Sequence, residues 1–503
     1  MWLNILILAL YVAMMVFIAF YTRRKANSLN DFFLAGKGVG GWLSAFAYGT
    51  TYFSAVIFVG YAGKFGASYG FAAVWIGIGN ALLGTLLAWK VLARRTKRMT
   101  TLLGAKTMPE FFEARYESSR IKLVSAIVIF VFLIPYSASV YQGLGYLFEI
   151  VFGIPFVWCI VIMAALTGLY LVFGGYLATA LTDFVQGFIM IVGVVVMVAL
   201  TLNYPDVSIA KVLEQGKGFF PAAGNGGLLE SPLFNVVVLV LLTSFGVWGT
   251  PQTVHKFYAI KDESAIKKGT VISTVFALVV GSCAYFVGAL VNCFDFASAN
   301  PDTFVPDMLK TVLPNGLIGL IVVLLLSASM STLSSLSLAG SSAVSVDAYK
   351  GYIDKNASDK RVTLVMRLGC LFFVVVSAVL AICQFDAIVT LMSLSWGTLA
   401  GCFIGPYFYG LVTRRATKAG AYASIVSGIA VTLVLVLVFG LVSPAAGLSG
   451  FAAIVKGGIA KSPLIGVIAM IVSMGIVPLV SAFTKKPSDA LLDRLFEKAK
   501  KSV

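Results

Sequence analysis

The chain has 503 residues, of which 59% are hydrophobic and only 12% charged, and its mean hydropathy is +0.97. Soluble domains carry about 25% charged residues, so this balance excludes a soluble enzyme or nucleic-acid-binding domain and predicts an all-α polytopic membrane protein. The net charge of +16 sits in short loops between apolar runs, where it reports orientation and not a nucleic-acid partner.

Thirteen apolar runs follow in order, near 2–22, 41–64, 68–90, 120–148, 155–176, 178–203, 232–255, 269–295, 315–347, 362–383, 387–412, 420–443 and 463–483. The first is longer than a signal-peptide core, lacks a small-residue cleavage site and precedes Arg23-Arg24-Lys25, so it reads as a retained span. An odd number of spans puts the two termini on opposite sides. Loops starting at 23, 90, 256, 348, 413 and 484 hold 31 of the 37 Lys and Arg, against six in the other loops. The positive-inside rule then predicts a multi-pass cell-membrane protein with its N-terminus outside and its C-terminus cytoplasmic.

Residues 1–503 read as a single transmembrane domain. Spans two to six (41–203) and seven to eleven (232–413) start on opposite sides, as two inverted five-helix repeats do. Each repeat opens on a span interrupted by small or helix-breaking residues, Gly49–Ala55 in the first and Ser244–Pro251 in the second. Either interruption alone suits a packing kink; two in register point to a substrate site. Segment 91–119 and the tail 484–503 read as amphipathic helices at the membrane surface, too short to build a core.

The ninth span contains Ser327–Ser345, with nine serines and one threonine in nineteen residues. Each hydroxyl costs free energy in lipid unless it finds a partner. This helix therefore belongs inside the bundle, either for close packing or to line a path. The six cysteines lack metal-like spacing, and His255 has no partner in view for catalysis or metal binding. No P-loop is present.

Phe173-Gly174-Gly175-Tyr176 with Ala178, Thr182-Asp183 and Gln186 resembles the first signature of the sodium:solute symporter family. Gly410-Leu411, Arg415, Gly420-Ala421 and Gly428 are similar to its second signature, and Ser331-Thr332 matches its Ser-Thr pair. The resemblance runs over roughly 2–483 and implies a LeuT-type core of two inverted five-helix repeats within about 13 transmembrane helices. It also implies that sodium is the coupling ion. Carried over by position, carbonyls of Thr50, Phe53 and Ala328 and hydroxyls of Ser331 and Thr332 would hold it. A hard cation suits such oxygens, and adjacent helical residues lie about 100° apart, so both hydroxyls can border one cage. Asp183 resembles the family carboxylate on the sodium exit path; capping the next helix is the alternative reading.

The solute is expected beside sodium, between the two interrupted helices. Candidates are Ser54, Ala55 and Val56 from the first, Trp248, Gly249 and Pro251 from the second, and Tyr136, Tyr141, Gln142 and Trp396 elsewhere. Each aromatic equally suits bundle packing. Tyr52–Val56 lacks the acidic residue and the Met-Ser-Gly-Trp of proline carriers, which puts proline in doubt. Thr51-Tyr52, Gly249-Thr250-Pro251-Gln252 and Lys261-Asp262 look more like pantothenate carriers. No Arg or Lys is expected mid-span, so a solute carboxylate would rest on helix ends, hydroxyls or sodium. The expected partners are a small-molecule substrate and membrane lipid, with no obligate protein partner. The expected activity is sodium-coupled uptake of a small organic acid such as pantothenate, or of an amino acid. A proton-coupled or uncoupled permease of the same fold is the alternative, against which Ser331-Thr332 argues.

Overall fold

The computed structural model describes residues 2–23, 33–221, 227–296, 300–314 and 317–496. Arg24, Lys25 and the end of the basic tail, 497–503, lie outside them. Apart from the short bridge of Val39 to Ile260, all regular structure among the described residues is helical. The helices that matter here are α1 (Trp2–Arg23), α2 (Gly41–Tyr52), α3 (Ala62–Tyr69), α4 (residues 74–103), α5 (Met108–Tyr116) and α6 (Ser119–Phe152). They continue with α7 (Phe156–Leu202), α8 (Pro232–Gly249), α9 (Pro251–Ala259), α10 (Glu263–Leu290), α11 (Ile318–Ser342) and α12 (Asp359–Ile382). The last four are α13 (Ile388–Val412), α14 (Lys418–Val442), α15 (Ser462–Ala482) and α16 (Asp489–Phe496).

Eleven helical segments among the described residues are long and apolar enough to cross a bilayer. The other two expected spans are present in altered form. Span 41–64 is split, because α2 stops at Tyr52 and the chain resumes helical geometry only at Ala55. Span 155–176 is the front of the 47-residue α7, which bends at Gly175 (φ 58°, ψ −161°). Unbent, that helix would run about 70 Å, more than twice a bilayer core of about 30 Å. Glycine supplies the positive φ that lets one helix serve as two spans.

Two tight backbone contacts lock the first repeat's broken helix and α4 to α10. A Cβ on Gly288 would sit 2.1 Å from the Ala62 carbonyl oxygen, and one on Gly77 would sit 2.6 Å from the Gly281 carbonyl carbon. Small residues at such crossings let membrane helices approach until their backbones touch. The serine-rich α11 runs through the centre, buried along its whole length apart from Leu320.

The two segments expected at the membrane surface are docked into the protein. In α5, Phe111, Phe112, Arg115 and Tyr116 are buried. The Arg115 Nε donates to the Gly410 carbonyl at 2.9 Å and its terminal nitrogen to the Thr413 carbonyl at 2.8 Å, capping the end of α13. Thr107 caps α5 by accepting from the Glu110 amide at 3.0 Å. The tail helix α16 buries Leu492 and Leu495, with Asp493 paired to Arg414. Their apolar faces meet protein instead of lipid, which surface patterning in one sequence cannot distinguish.

If the glycine contacts set the spacing of α10, then Gly288→Val should cost at least the roughly 1–3 kcal/mol of an overpacked core. The expected result is a clearly lowered melting temperature of the detergent-solubilised protein, whereas Gly475→Ala, whose added Cβ meets nothing within 4 Å, should leave it unchanged.

Candidate functional site

The break in the first core helix sets the site. The Gly49 carbonyl still accepts from the Phe53 amide at 3.1 Å, but those of Thr50 to Tyr52 have no helical amide to accept from, and the next amides turn elsewhere. Ile57 and Phe58 both donate to the Ser54 carbonyl. The Phe53 carbonyl thereby loses the amide that would bond it in a continuous helix. Backbone at this depth must still be satisfied, and α11 does so. The Ala55 amide donates to Ser329 Oγ at 3.1 Å, and Thr51 Oγ1 lies 3.0 Å from Ser335 Oγ.

Ser331 and Thr332 face the freed carbonyls from the same turn of α11. Ser331 Oγ lies 3.1 Å from the Thr50 carbonyl and 3.0 Å from those of Ser327 and Ala328. Thr332 Oγ1 lies 3.3 Å from the Thr50 and Thr51 carbonyls and 3.1 Å from that of Ala328. Two hydroxyl hydrogens therefore face four carbonyl oxygens. This all-oxygen knot is electron-rich and carries no fixed charge. Its oxygens sit close to the spacing they would take around a hard cation with contacts of about 2.3–2.6 Å. Of the five expected ion ligands, Thr50, Ala328, Ser331 and Thr332 meet here. Phe53 contributes a freed carbonyl at the break, while its ring packs against Gly281 and Phe276.

Beside the cage lies an aromatic cluster. The Trp396 ring is 5.7 Å from that of Tyr136 and 5.9 Å from that of Tyr52, and the Tyr136 hydroxyl lies near Ser54. Ala55 abuts Gly143 of α6, next to Gln142. Both amide atoms of Gln142 are buried without a hydrogen-bond partner, whereas the Tyr136 hydroxyl lies within reach of Ser54 and the Trp396 indole, and the Tyr141 hydroxyl within reach of Thr167. A native core seldom leaves a buried amide side chain wholly unpaired.

The second interrupted helix behaves differently from expectation. Thr250, between α8 and α9, breaks the helix, but the side chains aim away from the cluster. Trp248 donates to the Leu83 carbonyl at 3.1 Å and lines a peripheral apolar cavity of about 660 Å³ with Phe245, Phe408 and Met474. Gly249 lies against the Ala400 and Ile404 backbone, and Pro251 lines a small cleft with His255, Tyr258 and Asp347. Val56 is buried in the turn just beyond the break, and its amide bonds Ser54 Oγ at 3.3 Å. Gly246, two residues before Trp248, lies against Trp396, whose ring an added Cβ would meet at 3.2 Å.

Sequence patterning also missed several groups. Asn80 accepts from Thr243 at 2.7 Å and from Ser244 at 3.3 Å, leaving its own amide nitrogen unpartnered. Tyr52 donates to the Thr243 carbonyl at 2.7 Å. The expectation that no lysine lies within the bundle is overturned by Lys256, which is buried in α9 against the equally buried Asp183 of α7, at 3.5 Å. Asp183 is thus held mid-helix within α7, by an ion pair from another helix, and does not cap a helix start. His255 is wedged between Phe33 and Tyr176, with ring centroids 4.3 and 5.1 Å away. The six cysteines are free, and no metal-type cluster of His, Cys, Asp and Glu occurs among the described residues.

A helix broken at mid-membrane, an oxygen cage against a serine-rich neighbour and an adjoining polar-aromatic cluster define a membrane carrier of the LeuT type. Residues 32–428 match the sodium:solute symporter family, and the chain belongs to it. It is therefore a transporter of a small solute coupled to sodium, and not an enzyme. It is 29% identical over 443 residues to the osmoregulated proline transporter OpuE of Bacillus subtilis (strain 168), covering 86% of this chain and 88% of that protein. It is 27% identical to a sodium/proline symporter of Staphylococcus aureus over 97% of this chain and 94% of that one. Among solved structures, an outward-open, substrate-bound Na+-coupled sialic acid symporter aligns with a TM-score of 0.77 at 19% identity, covering 97% and 98%. The inward-facing transporter Mhp1 aligns at 0.53 and 15% identity, covering 91% and 94%.

Thr332→Ala removes one cage oxygen without touching the backbone carbonyls. Its sodium affinity, read by radioactive-sodium binding to the purified protein, should fall by about tenfold or more, equivalent to ~1.4 kcal/mol.

Proposed function

We infer that this carrier imports a small carboxylate-bearing solute, pantothenate-like or an amino acid, driven by sodium bound at Thr50, Phe53, Ala328, Ser331 and Thr332. The observation that carries the sodium part is the excess of carbonyl oxygens over hydroxyl hydrogens in that cage. The solute would rest against Ser54, Ala55, Tyr136, Gln142 and Trp396, whose polar atoms supply hydrogen bonds without a fixed charge. In this reading the solute carboxylate takes its counter-charge from sodium and from the dipole ends of the broken helix. Trp248, Gly249 and Pro251 then shape the second broken helix without touching the solute, and Asp183 lies on the inward side of the ion site.

A cavity of about 220 Å³ on the lysine-poor face supports an anionic group on the solute. Lys64 and Lys461, two of the few cations on that side, line it beside Asn235, Thr390 and Ser462. Cations at a mouth raise the local concentration of anions.

Sodium binding would favour the conformation that also orders the solute site, and linkage makes the preference mutual. About 100 mV supplies roughly 2.3 kcal/mol per charge, and a tenfold sodium gradient adds about 1.4 kcal/mol. Together these support accumulation of an electroneutral solute by a few hundredfold. A monoanion moving with one sodium would carry no net charge and lose the electrical part.

In proteoliposomes, an inward sodium gradient should drive uptake of pantothenate or of an amino acid from a panel that includes proline and short monocarboxylates. Uptake of the active solute that proceeds equally with potassium or a proton gradient would overturn the coupling. With one sodium ion per solute, a zwitterion should give a sodium-dependent current and a monocarboxylate none.

Orientation has its own test. Cys383, at the end of α12, is exposed. With the N-terminus outside it faces out, so a membrane-impermeant maleimide should label it on intact cells, and Cys383→Ser should abolish the labelling. Labelling that requires permeabilised cells would reverse the assignment.

A further inference from the structure

Lys256 is the least expected charge in the molecule. It sits in α9, half of the second interrupted helix, and its ammonium is 1% exposed. The nitrogen lies 2.9 Å from Ser335 Oγ and 3.5 Å from Asp183 Oδ2, and 5.1 Å from the centre of the Tyr176 ring. Ser335 Oγ is in turn 3.0 Å from Thr51 Oγ1, and the Thr51 carbonyl is 3.3 Å from Thr332 Oγ1 in the ion cage. The ammonium is therefore one hydroxyl pair away from the cage, on the far side of a wall built from Thr51 and the 331–335 turn.

A purely structural ion pair at this depth should satisfy both carboxylate oxygens, because desolvated charge is costly to leave idle. Here Asp183 is fully buried, yet its Oδ1 has no partner. The oxygens in contact with the lysine nitrogen are Asp183 Oδ2 and Ser335 Oγ, with the Thr51 hydroxyl one hydrogen bond behind and Asp183 Oδ1 left without a partner, and these are ligand types a hard cation takes. A lysine ammonium is itself a compact, strongly hydrated point charge, and it fills this place on a tether.

We propose that Lys256 is the resident cation of a second cation position formed by Asp183, Ser335 and Thr51, and that its ammonium restricts the carrier to one bound sodium ion. This rests on the sodium reading of the neighbouring cage. The lysine neutralises Asp183 permanently, so the carboxylate does not recruit a second ion. Removal of the ammonium leaves an anionic oxygen site next to the first, sized for sodium.

Equilibrium binding of radioactive sodium to the full-length protein in nanodiscs, without solute, tests this directly. The unaltered chain should bind one sodium with a Hill slope of one. Lys256→Met should bind two, and the double variant with Asp183→Asn should return to one. Lys256→Arg, which keeps a cation in place, should stay at one. Lys256→Gln, which retains a donor for Ser335, repeats the measurement should the methionine variant fail to fold. A single sodium in folded Lys256→Met or Lys256→Gln overturns the proposal. Two in the unaltered chain overturn it while the sodium reading stands. No saturable sodium binding in the unaltered chain, with the same absence in Thr332→Ala, overturns the sodium reading itself and this proposal with it.

Discussion

The structure depends on hydrogen bonds that a helix gives up and its neighbour replaces. Stopping α2 at Tyr52 strands carbonyls and an amide in the middle of the bundle, where water is not available to serve them. The hydroxyls of Ser329, Ser331 and Thr332 take over those roles. Each hydroxyl has one hydrogen and two lone pairs, so the exchange leaves an oxygen surplus on one side of the break. The proposed ion site rests on that surplus. Replacing the serine-rich stretch with leucine would remove the proposed ion ligands and the support for the break together.

Much of this was legible from residue types. The two interruptions and the serine-rich stretch that holds Ser331-Thr332 are local patterns with strong physical constraints behind them, because lipid punishes unpaired polar groups. What was not legible depends on which way a side chain turns once the helix has broken. Trp248 lies in the predicted region but points to the bundle's edge, because the break at Thr250 comes after it and leaves it on a continuous helical face. Lys256 follows an apolar run and reads as the first loop cation. Only the packing of α9 beneath α2 and α11 carries it inward. The same limit hid α5 and α16, whose amphipathic faces look alike whether they meet lipid or protein.

The polar-aromatic cluster and the ion cage share the residues of one turn. The Thr50 and Thr51 carbonyls face the Thr332 hydroxyl, while Ser54 and Ala55, three to five residues on, face Tyr136 and Gly143. Ordering that turn for one ligand orders it for the other, so coupling needs no long path through the protein.

The backbone contacts of Gly288 with Ala62 and of Gly77 with Gly281 divide the molecule mechanically. Chains that touch without intervening side chains cannot slide past each other, so residues 55–103 and α10 behave as one stiff body. The serine-rich helix meets that body through the hydrogen bond of the Ala55 amide to Ser329, which can be exchanged at small cost. Beside this seam the Thr50 and Thr51 carbonyls of α2 face the Ser331 and Thr332 hydroxyls of α11. An ion bound as proposed would act as a removable rivet between two plates, and its departure would free the joint without unfolding either plate.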